Sequence, residues 1–99
     1  MKIEEFKQSL TAKNPPAGLT PALTALWWDA RGEWEKAHSH PQDHEGSSRA
    51  WLHAYLHRKE GDRGNARYWY RKAGKNFSEE SLAEEWLSII LELLRQSGG

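Results

Sequence analysis

The sequence contains no cysteine. Disulfide bonds, a thiolate nucleophile and thiolate metal ligands are therefore excluded, and any metal would have to be bound by histidine and carboxylate side chains. The chain also lacks any apolar run near the ~20 residues that a transmembrane helix needs. We accordingly expect a protein that is neither exported nor embedded in a membrane, and the cytoplasm is the favoured compartment.

Motifs that indicate catalysis are missing as well. The glycines do not form a phosphate-binding loop, and no serine lies in a nucleophile elbow. Two pairs of neighbouring glutamates, Glu79–Glu80 and Glu84–Glu85, fall at the start of a predicted helix, where they complement the helix dipole and need no further role. The sequence therefore favours a non-enzymatic protein with no catalytic residue, no bound metal and no cofactor.

The composition fits one small globular domain over residues 1–99. Hydrophobic residues make up 37% of the chain and charged residues 28%, which is polar for a folded protein. Six tryptophans, three tyrosines and two phenylalanines offset this polarity, because each buried aromatic ring removes a large area from water. A chain of 99 residues can form a single core of moderate size.

Apolar residues recur three or four positions apart through most of the chain, which predicts an all-α fold. Thr20 followed by Pro21 is typical of a helix N-terminus, and Gly32, Gly61 and Gly74 are placed to end helices. The predicted elements are an N-terminal helix within 1–14, a helical hairpin over 20–44, a second hairpin over 47–75, and a capping C-terminal helix over 78–96.

Local signals predict further helix ends. Asn65 is the expected N-cap of the second helix of the second hairpin, and Ser78 that of the C-terminal helix, with Phe77 packing on Leu82. Pro41 is expected to end the second helix of the first hairpin, because proline removes a backbone donor and restricts the preceding residue.

An internal repeat relates the two hairpins. Shifting the first hairpin by 29 residues onto the second aligns identical residues at four positions: Leu23 with Leu52, Ala25 with Ala54, Gly32 with Gly61, and Ala37 with Ala66. Each copy is then a helix, a glycine turn and a second helix, and the alanines allow the two helices to approach closely. Neither hairpin is expected to be stable alone.

The turns Gly32-Glu33-Trp34-Glu35-Lys36-Ala37 and Gly61-Asp62-Arg63-Gly64-Asn65-Ala66 resemble those of tetratricopeptide and Sel1-type repeats. The helix from Ala66 to Ala73 is similar to the second helix of a Sel1 repeat, and residues 53–74 resemble the signature of a family of small uncharacterised helical-repeat proteins. The resemblance covers roughly residues 20–75. It implies about five helices in antiparallel hairpins, stacked as a short array that binds other proteins.

Basic residues are concentrated in the second hairpin. Residues 51–77 carry seven basic and two acidic side chains, whereas residues 78–99 carry five glutamates and one arginine. Arg63, Arg67 and Arg71 recur every four residues and so share one helix edge. Pairing of this edge with the acidic C-terminal helix is the first interpretation; binding of an acidic peptide is the second, and binding of nucleic acid is the least favoured because the net charge is zero.

The aromatic residues are more numerous than one apolar stripe per helix requires. The adjacent Trp27 and Trp28 cannot both point into the same core, and surplus Trp and Tyr side chains are typical of binding grooves. The predicted partner-binding residues combine these rings with the basic edge: Tyr55, Arg58, Arg63, Arg67, Tyr68 and Arg71.

A second candidate site involves histidine. His53 and His57 lie four residues apart, and Glu60 extends the same line, so two imidazoles and a carboxylate could face one ligand. The zinc-protease motif would need glutamate where this chain has Ala54, and the spacing fits no familiar zinc finger.

We therefore expect a helical-repeat adaptor that binds a protein or peptide segment, acting as a monomer or weak homodimer. One alternative is a small-ligand, anion or metal site around His53, His57 and the arginine edge. Another is a structural protein that associates with itself through the apolar stripe of 82–94.

Overall fold

All regular structure in the described residues is helical. The computed structural model describes residues 1–39 and 47–96. The helices within these ranges are α1 (Ile3–Ser9), α2 (Pro21–Ala30), α3 (Trp34–Ser39), α4 (Ser47–Lys59), α5 (Arg63–Lys72) and α6 (Leu82–Gln96). The all-α prediction is therefore confirmed, and the Cα radius of gyration of 12.6 Å is that of a compact chain of this length.

Two hairpins form because glycine ends the first helix of each pair. Gly32 has φ of 78° and Gly61 has φ of 87°, in the left-handed region that residues with a side chain rarely adopt. The next backbone N–H then reaches back five residues: Glu33 N donates to Trp28 O at 3.0 Å, and Asp62 N donates to His57 O at 2.9 Å. These turns let α3 fold back on α2 and α5 on α4.

The 29-residue repeat places equivalent residues in equivalent surroundings. Both turn hydrogen bonds, Glu33–Trp28 and Asp62–His57, are related by this offset. The aligned leucines and alanines are all buried: Leu23, Leu52, Ala25, Ala54, Ala37 and Ala66. The two hairpins therefore share their turn hydrogen bond and the burial of the aligned leucines and alanines.

Helix α6 joins the two copies. It contacts α1 and the first helix of each hairpin, α2 and α4, so it lies across both hairpins instead of against the second alone. Its apolar side chains are buried in the main core: Ile89, Ile90, Leu93 and Leu94. Phe6 of α1 is fully buried in the same cluster, where Trp86 packs against it.

Several predicted helix ends differ in the structure. Helix α1 ends at Ser9, inside the predicted range 1–14. Helix α6 begins at Leu82, not after Ser78: Ser81 Oγ accepts from Glu84 N at 3.1 Å while Glu84 Oε1 accepts from Ser81 N at 3.3 Å. This reciprocal pair is a capping box. It satisfies two backbone N–H groups, whereas the Ser78 side chain alone would satisfy one, so the helix starts after Ser81.

The predicted cap of α5 and the predicted Phe77–Leu82 contact also change. The N-cap is Asp62, whose carboxylate accepts from Asn65 N, so Asn65 is already the third residue of the helix. Phe77 packs on Tyr70, whereas Leu82 packs on the main core.

Other local predictions hold in the described residues. Thr20 Oγ1 accepts from Leu23 N, and Pro21 is the first residue of α2, as predicted. The predicted end of the first hairpin, residues 40–44 with Pro41, lies outside the described residues. No helix in the described ranges has both the length and the apolarity needed to cross a membrane.

Candidate functional site

The carboxylate of Glu85 on α6 is buried in the interior and accepts hydrogen bonds from two other helices. Arg58 Nη1 donates to Oε1 at 2.6 Å, and Arg58 Nη2 also donates to the carbonyl of Glu80. The second oxygen, Oε2, accepts from Tyr70 Oη at 2.5 Å and from Trp51 Nε1 at 3.0 Å. Glu85 is therefore compensated by one opposite charge and two neutral donors, as a buried carboxylate requires.

A second buried carboxylate, Asp29 on α2, is satisfied in the same way. Lys59 Nζ donates to Oδ1 at 2.6 Å and Tyr55 Oη donates to Oδ2 at 2.6 Å. Asp29 is the only charged residue of α2, and it is 4% exposed. Each carboxylate thus receives one cation and at least one aromatic donor.

Helix α4 supplies four of these five donors. Trp51 and Arg58 reach Glu85 on α6, whereas Tyr55 and Lys59 reach Asp29 on α2. Trp51 and Arg58, seven residues apart, lie on one face of α4, and Tyr55 and Lys59, four residues apart, lie on the adjoining face, so α4 contacts both carboxylate-bearing helices at once. Helix α4 is therefore fixed between α2 and α6 by charged hydrogen bonds as well as by apolar packing.

The two tyrosines of this network are held in their neutral form. Burial and the hydrogen bond to Asp29 raise the pKa of Tyr55 well above its usual value of 10.0. Burial and the hydrogen bond to Glu85 raise the pKa of Tyr70 in the same direction. Removing either proton would leave two negative charges in contact inside the protein.

Two of the predicted partner-binding residues belong to this interior network. Tyr55 is 2% exposed, and the Arg58 side chain is 16% exposed with its guanidinium on Glu85. The sequence predicts that both side chains face a groove, whereas hydrogen bonds to Asp29 and Glu85 hold them in the interior. They hold the helices together, and neither is an exposed side chain.

The other four predicted partner-binding residues do lie at the surface of α5. Arg63, Arg67 and Arg71 are exposed along one edge, and Tyr68 is exposed beside them. Among the described residues, none of the three arginines has a carboxylate within 4.0 Å. The expected pairing with Glu79, Glu80, Glu84 and Glu85 is therefore not observed. Glu85 points inward to Arg58, and Glu84 accepts from Ser81 N.

Aromatic rings support parts of this basic edge. The guanidinium carbons of Arg63 and Arg67 lie 4.9 and 5.8 Å from the centre of the Phe77 ring. Lys72 Nζ lies 5.2 Å from the Tyr68 ring centre. Cation–π contacts of this kind orient a cationic side chain without neutralising its charge. We call the exposed row Arg63, Arg67 and Arg71 the arginine edge.

The predicted histidine site is only partly assembled. His57 Nδ1 lies 2.8 Å from Glu60 Oε1, as the spacing suggested, and 3.9 Å from Asp62 Oδ2. His53 instead stacks on Trp69, with ring centres 4.4 Å apart, so it belongs to the packing between α4 and α5. Asp62 takes the third position because the Gly61 turn brings it back beside His57.

These three side chains could hold a metal ion. One donor atom from each of His57, Glu60 and Asp62 lies within 4.8 Å of the other two. Imidazole with two carboxylates suits a divalent transition-metal ion. Asp62 is kept ionised here, since its hydrogen bonds from the Asn65 side chain and backbone lower its pKa.

The apolar stripe of α6 is covered within the chain. Ile89, Ile90, Leu93 and Leu94 are buried, and Leu91 is the large apolar side chain of α6 that remains exposed. Little of the apolar stripe of 82–94 is therefore exposed for the predicted self-association with a second copy of the chain.

Comparisons with known proteins give no relative for this chain. No protein-family model, no curated protein and no solved structure matches it.

The tyrosine network predicts a loss of stability at alkaline pH. Both folded-state pKa values are raised, so the stabilisation is fully present below the unfolded-state pKa of ~10 and is lost as the pH rises above it. Urea unfolding between about pH 8 and pH 11 should show this decline. The Tyr55→Phe, Tyr70→Phe double variant should decline less steeply.

Tyr68→Phe is the matched control, because Tyr68 is the exposed tyrosine. It should leave the pH dependence as in the unchanged protein. If the double variant and the control have the same alkaline slope, the two buried hydroxyls are not the groups that titrate.

Proposed function

We propose that the chain is a tetratricopeptide-like interaction domain that binds an acidic segment of a partner protein along the arginine edge of α5. The observation that carries this proposal is that three exposed arginines lie in one row with no carboxylate partner among the described residues. Glu60 and Asp62, the acidic residues nearest to the row in sequence, lie beside His57 and form no ion pair with these arginines. Such a row can form charge-assisted, bidentate hydrogen bonds with carboxylates of another molecule.

The spacing of the arginine edge suggests the form of the partner. Residues four apart on a helix are separated by about 6 Å along its axis, so the row spans about 12 Å. A second helix with Glu or Asp every four residues presents carboxylates at the same interval. The preferred partner is therefore an acidic helix that lies along α5.

The surroundings of the edge favour binding further. Phe77 lies beneath the Arg63 and Arg67 guanidinium groups, which reduces the conformational freedom they lose on binding. Tyr68, 48% exposed, offers a rigid amphipathic ring beside the charges. The repeated hairpins support a helical-repeat scaffold, since the copies agree in burial and in their turn hydrogen bonds.

Charge reversal on the edge should abolish recognition of acidic helices. A labelled peptide with Glu at three positions four residues apart should bind in an anisotropy titration, and binding should weaken as salt is raised. Arg67→Glu with Arg71→Glu should weaken it at least about tenfold, since two attractive contacts become repulsive. Circular dichroism should show unchanged helicity.

Lys7→Glu with Lys13→Glu is the control, because it makes the same change in net charge at exposed positions outside the second hairpin. It should bind the peptide almost as well as the unchanged chain. Equal weakening by both double variants would mean that net charge, and not the arginine edge, attracts the peptide. Unchanged binding by the Arg67, Arg71 variant would rule out this surface.

A second candidate function is divalent metal binding at the turn between α4 and α5. The observation that favours it is the convergence of one imidazole and two carboxylates, from His57, Glu60 and Asp62. Solvent would complete the coordination shell, since all three side chains are partly accessible. Binding would tie the end of α4 to the start of α5.

Calorimetric titration with Zn²⁺ or Co²⁺ should then show saturable binding to one site per chain. His57→Ala and Glu60→Gln should each weaken it at least about tenfold. His53→Phe should retain it, because that change keeps the ring stacked on Trp69 and removes only nitrogen atoms outside the site. Loss of binding in His53→Phe with retention in His57→Ala would contradict the assignment.

A further inference from the structure

An open cleft lies where the ends of four helices meet. Its volume is about 390 Å³, at the lower end of the range for small-molecule sites. Leu10 follows α1, Ala30 ends α2, Lys59 ends α4, and Leu82 and Ala83 begin α6. The cleft is distinct from the arginine edge and from the His57 turn.

The walls of this cleft are mainly apolar. Leu10 and Leu82 contribute aliphatic surface, and Trp86 contributes its indole ring. The polar edge of that ring is already satisfied, because Trp86 Nε1 donates to Leu26 O at 3.0 Å. The accessible part of the indole is therefore a hydrocarbon surface, which favours an apolar ligand body.

The polar end of the cleft is formed by Asp29, Tyr55 and Lys59. Asp29 is buried, and both of its oxygens already accept hydrogen bonds from the other two residues. The Lys59 side chain is 36% exposed and uses one N–H on Asp29. An ammonium group has three N–H donors, so two remain for a ligand. The charged group that a ligand can reach at this end is therefore the ammonium, whose charge the buried Asp29 carboxylate partly offsets.

The Lys59 ammonium is the group that would recognise an anion in the cleft. The first turn of α6, which Leu82 and Ala83 bring to the cleft, adds no net positive charge, because Glu84 and Glu85 already place two carboxylates in that turn. An anionic group near Lys59 would therefore be favoured by hydrogen bonds from the ammonium. The salt bridge to Asp29 holds the Lys59 side chain in position, so little conformational freedom would be lost on binding.

We propose that this cleft binds a small carboxylate whose aromatic or branched aliphatic body lies on Leu82 and Trp86. The carboxylate accepts hydrogen bonds from Lys59 Nζ.

A titration with 3-phenylpropionate, followed by NMR of the backbone amides and the Trp86 indole N–H, tests this proposal. Saturable shifts should be confined to the cleft residues, with a dissociation constant of about a millimolar or tighter. The neutral analogue 3-phenylpropanamide should bind at least about tenfold more weakly, because it cannot form the ion pair with Lys59. Equal binding of acid and amide, or no saturable shift, overturns the proposal.

Three variants locate the binding. Ala83→Trp fills the cleft and should abolish the shifts, whereas Ala17→Trp, at an exposed position outside the cleft, should keep them. Lys59→Gln keeps an N–H donor for Asp29 but removes the charge, and it should lose the preference for acid over amide. These variants are compared after circular dichroism has shown native helicity. If Ala83→Trp is not folded, the Lys59→Gln result alone decides: an unchanged acid preference overturns the proposal.

Discussion

The ion pair between Glu85 and Arg58 is the interaction on which the arrangement of the helices depends most. A carboxylate with 1% side-chain exposure is costly to bury, and it is tolerated because Arg58, Tyr70 and Trp51 satisfy both of its oxygens. Its partners come from α4 and α5, so one side chain of α6 orients the whole second hairpin. Removing one partner of such a pair typically costs about 3–5 kcal/mol, because the remaining charge stays buried. Because Arg58, Tyr70 and Trp51 donate to Glu85 in fixed directions, these hydrogen bonds restrict how α6 lies against α4 and α5.

Asp29 extends the same principle to the first hairpin. Helix α4 donates to Glu85 through Trp51 and Arg58 and to Asp29 through Tyr55 and Lys59, so it is fixed on two sides. The carboxylates also explain the distribution of charge. Arg58 and Lys59 of α4 pair with the two buried carboxylates, whereas the basic residues of α5 remain in solvent without carboxylate partners in the described part of the chain. The proposed adaptor surface on α5 follows from that division, because the acidic residue best placed to neutralise a basic helix is used inside.

The helices and turns could be predicted from sequence because their causes are local. Gly32 and Gly61 end helices through their own backbone conformation, and the aligned leucines and alanines identified the buried face of each hairpin. The carboxylate network could not be predicted in this way. The interior positions of Tyr55 and Arg58 depend on Asp29 and Glu85, which are 26 and 27 residues away along the chain.

Weaker signals of the network were nevertheless present. Asp29 is the only charge in an otherwise apolar or neutral helix, and Glu85 lies on the apolar stripe of α6, between Leu82 and Ile89. A glutamate in the first turn of a helix is already explained by the helix dipole, so the place of Glu85 on the apolar stripe did not predict an interior role. The sequence predicted that glutamates of the C-terminal helix pair with arginines of α5. Glu85 of α6 does pair with an arginine of the second hairpin, but that residue is Arg58 on α4.

A double-mutant cycle between Arg58 and Glu85 tests the central claim most directly. Unfolding free energies would be measured for Arg58→Met, Glu85→Gln and the double variant, with the exposed pair Arg95–Glu92 treated identically as the reference. We expect a coupling free energy of about 1.5–3 kcal/mol for the buried pair and below about 0.5 kcal/mol for the exposed pair. A coupling between Arg58 and Glu85 no larger than that of the surface pair would contradict it.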